Sequence, residues 1–297
     1  MSRVTKETAG GRAYLDLQNR ARREKRTTQE LFTLYVLEGW LARLAASEHA
    51  GTFVLKGGML LAVLGARRPT SDADLLARDL ANDESVVLAR VLAVAGVHRE
   101  DGVEYLPGTV AVQSIREDDL YTGVRVTMDS RVSAARVKLK LDINFGDPVT
   151  PEPRFFALPS QRPGEPDVAV LGYPVETVLA EKASTAIALG AANSRVRDYA
   201  DLFTLTGTHV LGYDDMRAAL DATTVHRGVD LRLLSEVTGD LGTTRQGAYQ
   251  AFRKRLGVDG GHLPDRFTDV VTAVVAFVDP LVGGGKAQWS PSDRRWN

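Results

Sequence analysis

The 297-residue chain contains no cysteine. Disulfides, zinc–thiolate sites and cysteine nucleophiles are therefore excluded, and a reducing cytosol is the compatible compartment. Long apolar runs are also missing. The longest candidate, Val270 to Val278, is too short to span a bilayer. Met1 to Arg12 is polar and lacks the apolar core of a signal peptide, so the expected location is cytoplasmic. Net charge is nearly absent, at −1 with histidines neutral, so nothing at whole-chain level demands nucleic acid. Lysine is scarce among the 37 basic residues: only Lys6, Lys25, Lys56, Lys138, Lys140, Lys182, Lys254 and Lys286. A lysine inside a motif is correspondingly informative. The histidines show no metal-ligand spacing, and no Gly-Lys-Ser/Thr phosphate loop is present.

What remains is ordinary globular material, 44% hydrophobic and 25% charged, long enough for one large domain or two lobes. Basic clusters at Arg20–Arg26, Arg67–Arg68 and Arg253–Arg255 could touch phosphates or form solvated helix faces. Residues 1–12 read as frayed and Arg12 to Arg26 as a basic helix. Thr27 or Thr28 caps a helix that runs to about His49–Gly51. Phe53–Leu55 reads as a buried strand, Met59–Leu64 as a short helix, Ser71–Leu76 as extended and Ser85–Ala95 as helical. Tyr121–Met128 is strand-like. Val137–Phe145 is the clearest strand, with Val137, Leu139, Leu141 and Ile143 on one face and Lys138, Lys140, Asp142 and Asn144 on the other. Asp147 to Pro166, rich in proline and glycine, reads as a connection between lobes. Val168–Leu171 adds a strand, and the rest is helical up to a flexible tail over Gly283–Asn297. The expected fold class is α+β and bilobed, an α/β lobe with N-terminal helices over 1–165 and a mainly helical lobe over 166–297. A ligand cleft between such lobes is the default expectation.

The residues that carry chemistry begin with Lys56-Gly57-Gly58, followed by Thr70-Ser71-Asp72-Ala73-Asp74. In an extended segment Asp72 and Asp74 point to the same side. Two such carboxylates repel, and a divalent cation with oxygen preference relieves the repulsion. Gly57 and Gly58 sit at a strand-to-helix turn where backbone can approach a phosphate. Either element alone is common in surface turns; the ordered combination is far more specific. Asp142 offers a third carboxylate for one or two metal ions, the alternative being a solvated strand face. Lys182 sits within the apolar stripe Val175, Val178, Leu179, Ala183 and Ala186. An inward lysine needs an anion, such as a nucleotide phosphate, unless it snorkels to Glu181. Asp198, on the face of Leu202 and Leu205, could act as a base, orient a lysine or arginine, or pair locally with Arg195 or Arg197.

Taken together, Lys56-Gly57-Gly58, Asp72-Ala73-Asp74, Asp142, Glu181-Lys182 and Arg195-x-Arg197-Asp198-x-x-Asp201-Leu202 resemble the AbiEii family of nucleotidyltransferase-like toxins. This family belongs to type IV toxin–antitoxin systems and includes MenT-like members. The motifs span about residues 53 to 205. The resemblance implies a DNA polymerase β-type nucleotidyltransferase lobe with a mixed sheet, a helical lobe, magnesium (or manganese) and a nucleoside triphosphate (NTP) as substrate. It implies transfer of nucleotides to the 3′ acceptor end of tRNA, which blocks aminoacylation and translation, and a cognate antitoxin protein as partner. By position it implies catalytic roles for Asp72, Asp74, Lys182 and Asp198, and metal binding by Asp72, Asp74 and Asp142. Nucleotide binding falls to Gly57, Gly58, Thr70, Ser71 and Lys182. The alternatives are nucleotidylation or phosphorylation of a protein target, or a catalytically dead binding module.

Overall fold

The computed structural model describes residues 4–117, 121–285 and 288–297. The chain divides into two compact units. One is formed by Met1–Val63, Pro69–Gly146 and Arg154–Gly172; the other by Leu64–Arg68, Asp147–Pro153 and Tyr173–Asn297. No helix among the described residues is long and apolar enough to cross a membrane.

In the first unit, α1 (Ala9–Glu24) starts where Thr8 accepts a hydrogen bond from the Gly11 N–H. The frayed segment expected over residues 1–12 is thus helical from Ala9 on, because Thr8 supplies the cap; residues 1–3 lie outside the described residues. Thr27 caps α2 (Thr28–Ala45) by accepting from the Glu30 N–H, as its spacing predicts. Helix α2 is buried nearly throughout, Trp40 completely, and packs against the sheet. Its Arg43 is 3% exposed and forks onto Asp101 at 2.6 and 3.1 Å.

The sheet is built from β1 (Phe53–Lys56), β2 (Ala73–Ala77), β3 (Val103–Tyr105), β4 (Ala111–Glu117), β5 (Tyr121–Val132), β6 (Ala135–Phe145), β7 (Arg154–Leu158) and β8 (Val168–Gly172). Helix α3 (Gly57–Val63) follows β1, and α4 (Glu84–Ala95) follows β2. The strand order is β3-β5-β6-β2-β1-β8-β7, with β4 paired to β5. β2 runs parallel to β6 and β8 to β1, while β1–β2, β5–β6 and β7–β8 are antiparallel. Strands with helices are the α+β class that the sequence pattern predicts, and the mixed sheet is what the family resemblance implies. Alternation in β6 decides which face is core: Leu139, Leu141 and Ile143 are fully buried, leaving Lys140 and Asp142 on the polar face. One expectation is corrected. The proline-rich stretch after Asp147 is not simply a connection, because Arg154–Leu158 forms β7 against β8. Pro153 and Pro159 flank this strand at the sheet edge, where a missing N–H breaks no ladder.

The second unit is mainly helical: α5 (Val175–Leu189), α6 (Val196–Thr206), α7 (Tyr213–Arg227), α8 (Leu234–Thr238), α9 (Leu241–Thr244), α10 (Gln246–Leu256) and α11 (Phe267–Gly283). Pro174 is the cap residue of α5. The tail is ordered instead of flexible over its described residues. β9 (Leu211–Gly212), β10 (Gln288–Ser290) and β11 (Arg295–Trp296) form a small sheet. The cause is aromatic: Trp289 is fully buried against Phe277 at 4.9 Å and donates its indole N–H to the Thr206 carbonyl at 2.7 Å. Trp289→Ala should cost about 3–5 kcal/mol of stability in chemical unfolding, the usual range for a buried tryptophan.

Candidate active site

The candidate site in the first unit starts from a glycine. Gly57 has φ of +64°, a conformation that disfavours any side chain. A Cβ built there would lie 1.7 Å from Asp74 Oδ2 and 2.5 Å from its Cγ. A Cβ on Gly58 would lie 2.6 Å from Thr70 Oγ1 and 2.8 Å from its Cβ. The Gly-Gly pair and the Thr-Ser-Asp-Ala-Asp stretch are therefore one interlocked object. The acid strand is seated in the space the two missing methyl groups leave.

Register extends the site across the sheet. Asp74 stands opposite Lys56 of β1 and Asp142 of β6, and Asp142 stands opposite Arg125 of β5. Four neighbouring strands thus contribute a row of Lys56, Asp74, Asp142 and Arg125 to the polar face. Asp72 lies in the bend just before β2, yet period two still carries its carboxylate to that face. Lys140 Nζ donates to Asp72 Oδ2 at 2.8 Å and lies 3.8 Å from Asp142 Oδ2. Thr70 Oγ1 donates to Asp72 Oδ1 at 3.0 Å. Burial alone would raise the Asp72 pKa, but the hydrogen bond and charge of Lys140, with Thr70, hold it below the usual carboxylate value. Asp72 is ionised at neutral pH.

Asp142 is placed beside Asp74, as its strand position suggests, but its oxygens are committed. Arg125 grips both, Nε to Oδ1 and an η-nitrogen to Oδ2, each at 2.7 Å. Among the described residues no group of three carboxylate or imidazole side chains converges as a metal cage. The pair Asp72 and Asp74 nonetheless suits a hard divalent cation. Its donors are carboxylate oxygens, and Asp74 is fixed against the turn by the Gly57 cradle. Ser71 sits in the same bend as Asp72.

In the second unit, Lys182 of α5 is directed inward. Its Nζ lies 2.9 Å from Asp198 Oδ1 and 2.8 Å from Asp201 Oδ2, both on α6. Glu181, the snorkelling partner considered from sequence, pairs instead with Arg227 at 3.4 Å. Arg195 Nε donates to Asp198 Oδ2 at 2.5 Å, and Arg68 Nε lies 3.6 Å from Asp201 Oδ2. Burial would lower the Lys182 pKa, but Asp201 and Asp198 raise it above its ordinary value, so the ammonium stays charged. Burial would raise Asp198; Lys182 and Arg195 overcome it and bring the carboxyl to about 2. Sequence reasoning assigned no role to Asp201, Arg125 or Lys140, and Arg68, read as a phosphate contact or part of a solvated face, lies instead beside Asp201. Asp201 had a visible signal, being one helical turn from Asp198 on the same face. The others are revealed only by pairing between elements.

A family model described as "Nucleotidyl transferase AbiEii toxin, Type IV TA system" matches residues 40–273, which include both the acid row and the Lys182 cluster. No curated protein sequence matches. Among solved structures, JHP933 from Helicobacter pylori is similar at 17% identity and a TM-score of 0.42, over 77% of this chain and 95% of that one. An antigenic nucleotidyltransferase-like protein from Paracoccidioides brasiliensis is similar at 14% identity and a TM-score of 0.38, over 65% of this chain and 88% of that one.

Two outcomes follow from this geometry. Gly57→Ala should lower stability in urea unfolding by about 1–3 kcal/mol from backbone conformation alone, and more if Asp74 cannot move. Gly108→Ala, whose added methyl meets nothing within 4 Å, is the near-neutral control. The second concerns pH. The folded Asp198 carboxyl lies below its unfolded value of about 3.9, so its stabilisation is complete above that pH and is lost as pH falls toward 2. Asp198→Asn should therefore flatten the acid limb of the stability–pH curve by about 2 kcal/mol between pH 5 and pH 2.

Proposed function

Because the chain belongs to the AbiEii family of nucleotidyltransferase toxins of type IV toxin–antitoxin systems, we propose that it transfers nucleotides from a nucleoside triphosphate to the 3′ acceptor end of tRNA. The result is blocked aminoacylation and arrested translation in the cytoplasm, with a cognate antitoxin protein as the controlling partner. The observation that carries the reading is the seating of Asp74 against Gly57 and of Thr70, the hydrogen-bond donor to Asp72, against Gly58. An arrangement that excludes a side chain in order to hold an acid at a turn is costly for a structural purpose alone.

Asp72 and Asp74 are the proposed metal ligands, for magnesium or manganese; Asp142 would join them through the lone pairs that its two-point pairing with Arg125 leaves, or after Arg125 releases an oxygen. A bound divalent ion would offset charge on the triphosphate and the departing pyrophosphate. The backbone of Gly57 and Gly58, with Thr70 and Ser71, would position the triphosphate beside the acids. Lys182, kept charged by Asp198 and Asp201, would meet the phosphates as a point charge. A carboxyl at about 2 is a feeble base at neutral pH, so the proposed role of Asp198 is to hold and aim Lys182. In the reaction the 3′-hydroxyl oxygen bonds to the α-phosphorus while the bond to the bridging oxygen breaks. Pyrophosphate leaves with that electron pair, and the hydroxyl proton passes to water.

The nearly neutral net charge keeps a protein acceptor as the second reading. One experiment separates the two. The purified protein is incubated with magnesium, each α-labelled NTP in turn, total tRNA and a cell protein extract, with Asp72→Ala alongside. Label on the 3′ end of intact tRNA, lost in Asp72→Ala, is the expected outcome. Label on protein would move the acceptor to a side chain. Label on neither, from a preparation that still arrests growth, would sink the transferase reading in favour of a binding module.

A further inference from the structure

The acids proposed as metal ligands are not left to repel one another. The polar face that bears Asp72, Asp74 and Asp142 also bears Lys56, Arg125 and Lys140, one cation for each carboxylate. The three cations stand to the acids differently. Arg125 forks onto both oxygens of Asp142, a rigid two-point pairing. Lys56 is held in β1, only 8% exposed, opposite Asp74. Lys140 makes a single point contact with Asp72, reaches toward Asp142 at 3.8 Å, and is about a quarter exposed on a flexible stem. It is the cation of the three best able to let go.

We propose that Lys140 is a positioning residue that makes divalent-ion binding conditional on the nucleotide; the inference rests on the assignment of the metal to Asp72 and Asp74. The reason is charge balance. With Lys140 against Asp72 the acid face is already neutralised, so a metal ion arriving alone meets a like charge within a few ångströms and binds weakly. A triphosphate arriving with the metal brings the negative charge that Lys140 can turn to. Asp72 is then released to the metal, and the ammonium pairs with phosphate oxygen. Metal and nucleotide become thermodynamically coupled, each tightening the other by the same factor. The protein therefore carries little metal between turnovers and assembles its site on the complete metal–triphosphate complex.

The test uses the full-length protein, Mn2+ as probe, and electron paramagnetic resonance of free Mn2+ as readout, with and without a non-hydrolysable α,β-methylene triphosphate. Wild type should bind Mn2+ alone weakly and about tenfold more tightly with the analogue. Lys140→Met should bind Mn2+ alone about tenfold more tightly than wild type and lose most of the gain from the analogue. Lys140→Gln repeats the measurement in a side chain of similar length, and Lys140→Arg, which keeps the charge, should behave as wild type. Equal affinity of wild type and both neutral variants for Mn2+ alone would overturn the role of Lys140, as would a wild type indifferent to the analogue. Asp72→Asn separates this failure from a deeper one. If it binds Mn2+ as wild type does, the metal assignment itself falls; if it loses binding while Lys140→Met changes nothing, only the inference about Lys140 falls.

Discussion

The missing side chain at Gly57 is the constraint on which the rest of the candidate site depends. Asp74 occupies the space a methyl group would need, and Thr70 does the same over Gly58. Sequence reading gives this glycine pair to a phosphate, for close backbone approach. The structure gives it a prior task, which is to let the acid-bearing strand lie directly against the turn that follows β1. The two tasks are compatible, since a turn stripped of side chains is open to a ligand wherever its neighbours leave it uncovered. Only glycine meets both demands, because position 57 also needs the positive φ.

Both charge clusters use the same device. Carboxylates that burial would push toward neutrality are kept ionised by cations from a neighbouring element: Lys140 of β6 for Asp72 before β2, and Lys182 of α5 for Asp198 of α6. Pairing across elements ties ionisation to correct folding, since neither partner finds the other along its own strand or helix. The scarcity of lysine sharpens the point. Of the eight lysines, Lys56, Lys140 and Lys182 all face acids in these clusters, while arginine supplies most of the other ion pairs.

Much of this was legible in the sequence, and the limits are physical. The alternation in β6, the Thr27 cap and the Gly-Gly break are local patterns, and each produced the element it predicts. An inward Lys182 followed from its position in an apolar stripe, again a local property. What could not be read is what depends on pairing. Arg125 meets Asp142 only because β5 and β6 pair in one particular register. The edge strand β7 is masked by its flanking prolines, which resemble a linker until an edge is known to exist. The tail reads as flexible from sequence, whereas the burial of Trp289 outweighs the chain entropy of ordering its described residues.

The transverse row Lys56, Asp74, Asp142 and Arg125 also bears on how this chain can vary in length. Each member comes from a different strand, and the row exists only while all four strands keep their alignment. One residue gained or lost inside β2 would turn Asp74 into the core and bring Leu75 to the polar face, cutting the row at its centre and leaving only the Arg125–Asp142 pair between β5 and β6. Loops outside the ladder carry no such penalty: the stretch between α3 and Thr70 can lengthen, provided Thr70 still returns to Gly58. Over evolutionary time, insertions and deletions should therefore accumulate in the connections and be purged from the strands, leaving the intervals within each strand as the most durable signature of this architecture.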